Sequence, residues 1–150
     1  VLATDMARHG ELLNRFAEML KEGFDKNEEN HRRLVMMMIL KAGDISNVTK
    51  PFEISRLWAV AVTEEFYRQG DMERERGVAV LPMFDRTQNN ELAKGQIGFI
   101  NFVAGKFFES LCMGPLGLLA WTKENVTSNK NTWQRILDER SQSTATSSSQ

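Results

Sequence analysis

A single cysteine, Cys112, stands in the 150 residues, so no disulfide can close within the chain and a reducing compartment is expected. Histidine is nearly as scarce. His9 and His31 lie far apart, and a complete histidine metal site cannot be built from them. Lysine and arginine are scattered among the acidic residues at a formal net charge of −1, with no basic stripe to track phosphates. Nucleic acid is therefore not an expected partner. No apolar run approaches bilayer-spanning length and no signal peptide is visible, so no membrane span is expected and the location should be intracellular, in the cytoplasm. Internal repeats, a glycine-rich phosphate loop, a Cys-x-x-Cys pair and a Ser-His-Asp arrangement are all missing. The chain opens Val1-Leu2-Ala3-Thr4-Asp5 without methionine and is expected to be a piece of a longer protein.

What remains is an ordinary globular composition, 41% hydrophobic and 26% charged, sufficient for one domain or a large part of one. Its periodicity is helical. Leu12, Leu13, Phe16 and Leu20 predict a helix over about 4–23, with Gly23 as its C-cap. A second helix is expected from about Glu28 to Lys41, with Met36, Met37 and Met38 filling irregular core space rather than binding a soft metal. Pro51 suits the first turn of a third helix running to Arg68 or beyond, on which Trp58, Val62 and Phe66 share a face. The charged run Asp71–Arg76 reads as a solvated helix end with local ion pairs. Val78–Pro82 reads as an extended crossing segment, since no partner strand exists. Asn89, Asn90 and Glu91 introduce a fourth helix to about Leu111, with Gln96, Phe99, Val103 and Phe107 inward, broken by Gly114-Pro115. A last helix over about 118–140 looks weak where Asn125, Thr127 and Asn129 cluster, and is anchored by Trp121, Trp133, Ile136 and Leu137. The Ser/Thr-rich residues 141–150 should be a disordered tail.

The stretch Lys41–Pro51 organises the chemistry. Asp44 follows an apolar helix, and a carboxylate there needs a cation or a hydrogen-bond donor. By pattern alone it is either a turn residue, with Ser46 and Asn47 bonding the backbone of a bend, or a ligand.

Several ordered blocks go further. Leu2–Met6 with His9, Gly43-Asp-Ile-Ser-Asn47, Glu64–Asp71, Glu73–Gly77, Pro82-Met-Phe-Asp85 and Gly95–Ile100 follow one another in sequence. In order and spacing they resemble the C-terminal half of the class I 3',5'-cyclic-nucleotide phosphodiesterase catalytic domain, over residues 1–140, and most of all the enzymes of trypanosomatid parasites. The resemblance implies an all-α fold of the HD-type metallohydrolase kind and a two-metal pocket that hydrolyses cAMP, cGMP or both to the 5'-monophosphate. It puts Asp44 on a zinc ligand, beside a second ion that is magnesium or manganese, and Thr4 on a residue bonding metal-bound water. Two such ions would activate a bridging water and neutralise charge on the phosphoryl oxygens. Gln96 falls on the purine-binding glutamine, whose carboxamide carries both donor and acceptor. Phe99 falls on the aromatic stacked on the base, with Val62 opposite. Asn47, Phe66, Met83, Met6 and Asp5 fall on other pocket positions. Ser55 stands where some members place a bulky tyrosine, which leaves the choice of purine open.

The family's remaining metal ligands, two histidines and an aspartate, and its histidine acid belong to an N-terminal half whose motifs are not in these residues; His9 and His31 do not fall on them. The 150 residues alone are thus expected to be inactive. They would supply a base-binding clamp and one metal ligand to a hydrolase whose substrate is a cyclic nucleotide. Any homodimer would form through regions outside them. The other reading is a truncated, catalytically inactive helical remnant serving as a protein-interaction module.

Overall fold

The structure, a computed structural model, describes residues 3–88 and 91–147. It is all-α: no strand occurs among the described residues. Six α-helices follow in order, α1 His9–Glu22, α2 Glu29–Asp44, α3 Phe52–Glu75, α4 Leu92–Phe99, α5 Gly105–Leu111 and α6 Ala120–Ser147. Short 3-10 turns at Met6–Arg8, Ser46–Thr49, Pro82–Phe84 and Gly114–Leu119 join them.

The first helix ends as the sequence leads one to expect. Gly23 takes a φ of 97°, a left-handed value that costs glycine little, and its N–H reaches the Met19 carbonyl. The Glu28 carboxylate accepts from the Asn30 N–H and starts α2. That helix runs a turn beyond Lys41, because Gly43 is helical and the Ile45 N–H closes back on Lys41. Asp44 is therefore the last residue of the helix rather than a residue after it.

Aromatic and aliphatic side chains from α1, α2, α5 and α6 make the core. Phe16, Met38, Phe107 and Leu111 are fully buried, and each contributes about 1.5–3 kcal/mol by leaving water. The methionine run splits by face. Met38 is core, Met37 half-buried and Met36 exposed. Leu20 is only half-buried, while Met19, not singled out in the sequence, is core.

The helix expected over about 91–111 forms, but with an internal fault. Ile100–Ala104 make a π-helical turn between α4 and α5. Each residue of an α-helix turns the chain by about 100°, so one residue added in a wider turn shifts the faces on either side by that much. Ile100, Ala104, Phe107 and Leu111 consequently face the core, while Gln96, Phe99 and Val103 are only half-buried. Asn89 and Asn90, read as introducing this helix, lie outside the described residues.

On α6, Trp133 is buried edge-on against Phe52 at 5.0 Å between ring centroids, whereas Trp121, expected as an anchor, is exposed. The helix also continues into the Ser/Thr tail, to Ser147. The hydroxyls of Ser141 and Ser143 donate to the Leu137 and Glu139 carbonyls one turn back, which lets serine sit in a helix that has already formed. No single described helix is long and apolar enough to cross a membrane.

Candidate functional site

The end of α2, the middle of α3, the Pro82–Phe84 turn and α4 enclose an open cavity of about 720 Å³. Its size suits a small organic ligand. Eight of the ten site residues named from the sequence line it: Met6, Asp44, Asn47, Val62, Phe66, Met83, Gln96 and Phe99. They come from six separate elements, so helical spacing alone could not have assembled them. Thr4 and Asp5 do not line it. Asp5 caps the Met6–Arg8 turn by accepting from the Ala7 N–H at 2.9 Å. The carbonyl of Thr4 accepts from Lys41 Nζ at 3.3 Å.

Two walls face each other in chemistry. From α3 come Val62 and Phe66, one turn apart, and from α4 come Gln96 and Phe99. Thr63 and Tyr67 flank the first pair and complete that wall. Sequence reasoning passed over them, although each directly follows a named residue and so lies on the neighbouring strip of the helix. Gln96 Oε1 is buried and has no hydrogen-bond partner among the described residues. An unsatisfied buried acceptor is costly, of the order of 1–3 kcal/mol, and this one belongs to a residue that lines the cavity. Trp58, expected on the same face as Val62 and Phe66, lies a turn too early; it is exposed and outside the cavity lining.

Asp44 also lines the cavity and is exposed, and its carboxylate makes no hydrogen bond or ion pair among the described residues. Beneath it Lys41 is fully buried, with Nζ held by the Thr4 carbonyl and 3.8 Å from Met6 Sδ. Burial pushes the Lys41 ammonium below its ordinary pKa, against the opposing pull of Asp44 and Asp5. His9 is shifted down too, first by burial and then by the nearby Lys41 charge, with the Val103 backbone acting the other way. Neither residue was picked as part of the site in the sequence. A lysine in the last turn of a helix ordinarily answers the helix dipole from the surface, and only packing buries this one.

The turn carrying Met83 is fastened to α3. Phe84 packs edge-on against Phe66 at 5.1 Å, Arg74 bonds Asp85, and Arg86 bonds Asp71 at 2.8 Å while its guanidinium lies over the Tyr67 ring at 5.3 Å. The charged run at the end of α3 thus makes one local ion pair, Arg74 with Asp71 at 3.4 Å, and a local hydrogen bond from Gln69 to Glu73, while Arg74 and Asp71 also reach Asp85 and Arg86 beside this turn. Thr87 donates to Asp85 through both its hydroxyl and its N–H, and with Arg74 this holds the Asp85 carboxyl at about 2.

Among the described residues no three acidic, cysteine or histidine groups come close enough to hold a metal ion. Asp44 fits as one oxygen donor on the cavity wall, exposed and able to meet a cation, and the remaining donors would have to come from elsewhere.

The chain is similar to several known proteins. The profile of the family described as 3'5'-cyclic nucleotide phosphodiesterase matches residues 1–115. The human high affinity cGMP-specific 3',5'-cyclic phosphodiesterase 9A is 41% identical over 111 residues, covering 74% of this chain and 18% of that protein. The 3',5'-cyclic-nucleotide phosphodiesterase regA of Dictyostelium discoideum is 32% identical over 139 residues, 92% of this chain and 17% of its own length. The solved structure of the Leishmania phosphodiesterase LmjPDEB1 in complex with IBMX superposes with a TM-score of 0.89 at 62% identity, over 92% of this chain and 41% of that one. The chain therefore spans under a fifth of the length of these two curated relatives, and under half of the solved one.

Proposed function

The chain belongs to the 3'5'-cyclic nucleotide phosphodiesterase family, and from that premise we propose that it forms the base-binding part of a divalent-metal-dependent 3',5'-cyclic-nucleotide phosphodiesterase. One observation carries the proposal: eight residues, scattered from Met6 to Phe99, line a single cavity, among them the Asp44 carboxylate, the Gln96 carboxamide and the apolar side chains of Val62, Phe66, Met83 and Phe99. A cyclic nucleotide has matching parts, a phosphodiester that needs cations and a flat purine that needs an apolar slot with a polar edge.

In this arrangement Phe99 and Val62 take the two faces of the base. Stacking on an aromatic face contributes about 1–3 kcal/mol in single-strand binders. Gln96 supplies the edge contact. Its amide offers a donor and an acceptor side by side, and turning it over exchanges them, so both adenine and guanine are within reach. Phe66 and Met83 close the slot against water, and Asn47 borders it beside Asp44. Asp44 would hold a metal ion together with ligands from the rest of the polypeptide; zinc with magnesium or manganese is the pair that the family resemblance implies, and Thr4, three residues from Ala7 in the turn beside Lys41, would bond the water around it. Bound divalent ions supply an activated water and neutralise charge on the phosphoryl group.

A helical remnant used only to bind another protein is the competing reading. The exposed face Met36, Ile39 and Leu40 of α2 favours it. That reading gives no role to Gln96 Oε1 or to the cavity.

Hydrolysis of cAMP and cGMP by the complete polypeptide, compared with its Asp44→Ala variant, decides between the two. Turnover should be abolished while the circular dichroism of the variant keeps its helical form, because losing a metal ligand damages chemistry rather than packing. Turnover near the wild-type level with metal still bound would return Asp44 to a helix-end residue.

A further inference from the structure

The cluster Asn125, Thr127 and Asn129 reads as a weak place in a helix, yet α6 is unbroken there. Asn125 and Asn129 are one turn apart and share a face. Asn129, only 3% exposed, donates through Nδ2 to the Val48 carbonyl and to the Lys50 carbonyl, both at 2.8 Å. Asn125 Nδ2 donates to the Thr49 carbonyl at 2.8 Å. Three successive carbonyls of the bend between α2 and α3 thus end on two side chains from the far end of the chain. The bend also ties to itself, through Thr49 Oγ1 to the Ser46 carbonyl at 2.8 Å and the Lys50 N–H to the Asn47 carbonyl at 3.3 Å.

The position of this bend matters because it directly follows Asp44 and contains Asn47, both on the cavity wall. A 3-10 turn has poorer hydrogen-bond geometry than an α-helix and is held in place largely by what surrounds it. Here the surroundings include two carboxamides that donate to it, beside the core packing of buried Val48 and Thr49. The helix supplying them lies beyond the residues that match the family profile.

We propose that Asn125 and Asn129 are positioning residues for the metal-binding end of the cavity, holding the 46–50 bend so that the Asp44 carboxylate is presented to a divalent ion in one orientation. This rests on the function proposed above. Residues that orient a metal ligand without touching the metal change its affinity by about 10–100-fold when removed.

The test uses the complete polypeptide as wild type, Asn129→Ala, Asn125→Ala, Asp44→Ala and Val126→Ala. Val126 is buried on the same helix but donates no side-chain hydrogen bond to the bend, so it controls for lost packing. Three quantities are read: the thermal midpoint, the Mn²⁺ dissociation constant by calorimetry, and kcat with KM. Asn129→Ala should weaken Mn²⁺ binding at least about tenfold and lower kcat with little change in KM. Val126→Ala should lower the thermal midpoint and leave Mn²⁺ binding alone. If Asn129→Ala fails to fold, Asn125→Ala, which is half-buried and gives up a single bond, carries the same expectation. Wild-type Mn²⁺ affinity in a folded asparagine variant, alongside its loss in Asp44→Ala, would overturn the positioning role and leave the functional reading standing. A wild-type protein that neither binds Mn²⁺ nor hydrolyses cyclic nucleotides would overturn both.

Discussion

In the proposed function the choice of base rests on Gln96, a carboxamide whose oxygen is buried without a partner among the described residues. Removing the amide removes the edge contact and leaves Asp44 and the rest of the cavity as they were. A hydrogen bond equally strong in the ground and transition states shows up in KM rather than kcat. Leaving a base edge unpaired costs about 1–3 kcal/mol, so Gln96→Ala should raise KM for the preferred nucleotide about tenfold at nearly constant kcat. It should also narrow the gap between cAMP and cGMP, which steady-state kinetics on both nucleotides would show. An unchanged KM with an unchanged preference would make Gln96 an ordinary helix residue. Phe99 is a poorer probe. It packs partly against the core, so truncating it mixes weakened stacking with lost stability.

Among the elements, the Pro82–Phe84 turn depends most on its neighbour. It lies so close to α3 that a Cβ on Gly70 would overlap the Phe84 carbonyl. Gly70→Ala must push the turn, and Met83 with it, off the helix, lowering stability by about 1–3 kcal/mol. Gly10, exposed in α1 with nothing near its missing side chain, is the contrast. Alanine there should raise stability by about 0.5–1 kcal/mol through helix propensity alone. Chemical denaturation of the two variants should therefore shift in opposite directions. The same turn carries an acid-sensitive tie. Asp85 has its carboxyl lowered from 3.8 to about 2 by Thr87 first and Arg74 second. Its contribution to holding the turn is complete above 3.8 and fades as pH falls toward about 2. Protease cleavage in residues 82–87 should rise over that interval in the native protein. In Asp85→Asn it should be raised already at neutral pH and vary little with acid.

Over the whole molecule, the described residues hold no cluster of three ligating groups, and the carboxylates that line the cavity are Asp44 and Glu91. Zinc held at structural or catalytic strength needs three or four protein ligands. The 150 residues produced alone should therefore fail to retain stoichiometric zinc after dialysis, as measured by elemental analysis. Tight one-to-one retention would mean that a site exists which the arrangement of Asp44, His9 and His31 does not explain. Exposed apolar side chains on two regions of the surface, Met36, Ile39 and Leu40 on α2 and Phe102 with Leu118 around α5, show how much apolar area these residues leave uncovered.

The helical class, five segments that between them contain the α-helices of the described residues, and the stop at Gly23 were legible in periodicity and capping residues, because those depend on neighbours a few residues apart; the start of α1 and the ends of α3 and α6 were off by more than a turn. The ordered motifs also named eight residues that now border one cavity. Three things lay beyond local pattern. The π turn at Ile100–Ala104 adds a residue that no spacing rule anticipates, and it separates the faces of Gln96 and Phe107. Lys41 carries the composition of a surface residue and is buried only because the Met6–Arg8 turn and α1 fold over the end of α2. Asn125 and Asn129 looked like weak helix formers because propensity counts a side chain against its own helix. Their amides are satisfied by carbonyls about eighty residues away, and only the packing of α6 on the bend puts donor and acceptor together.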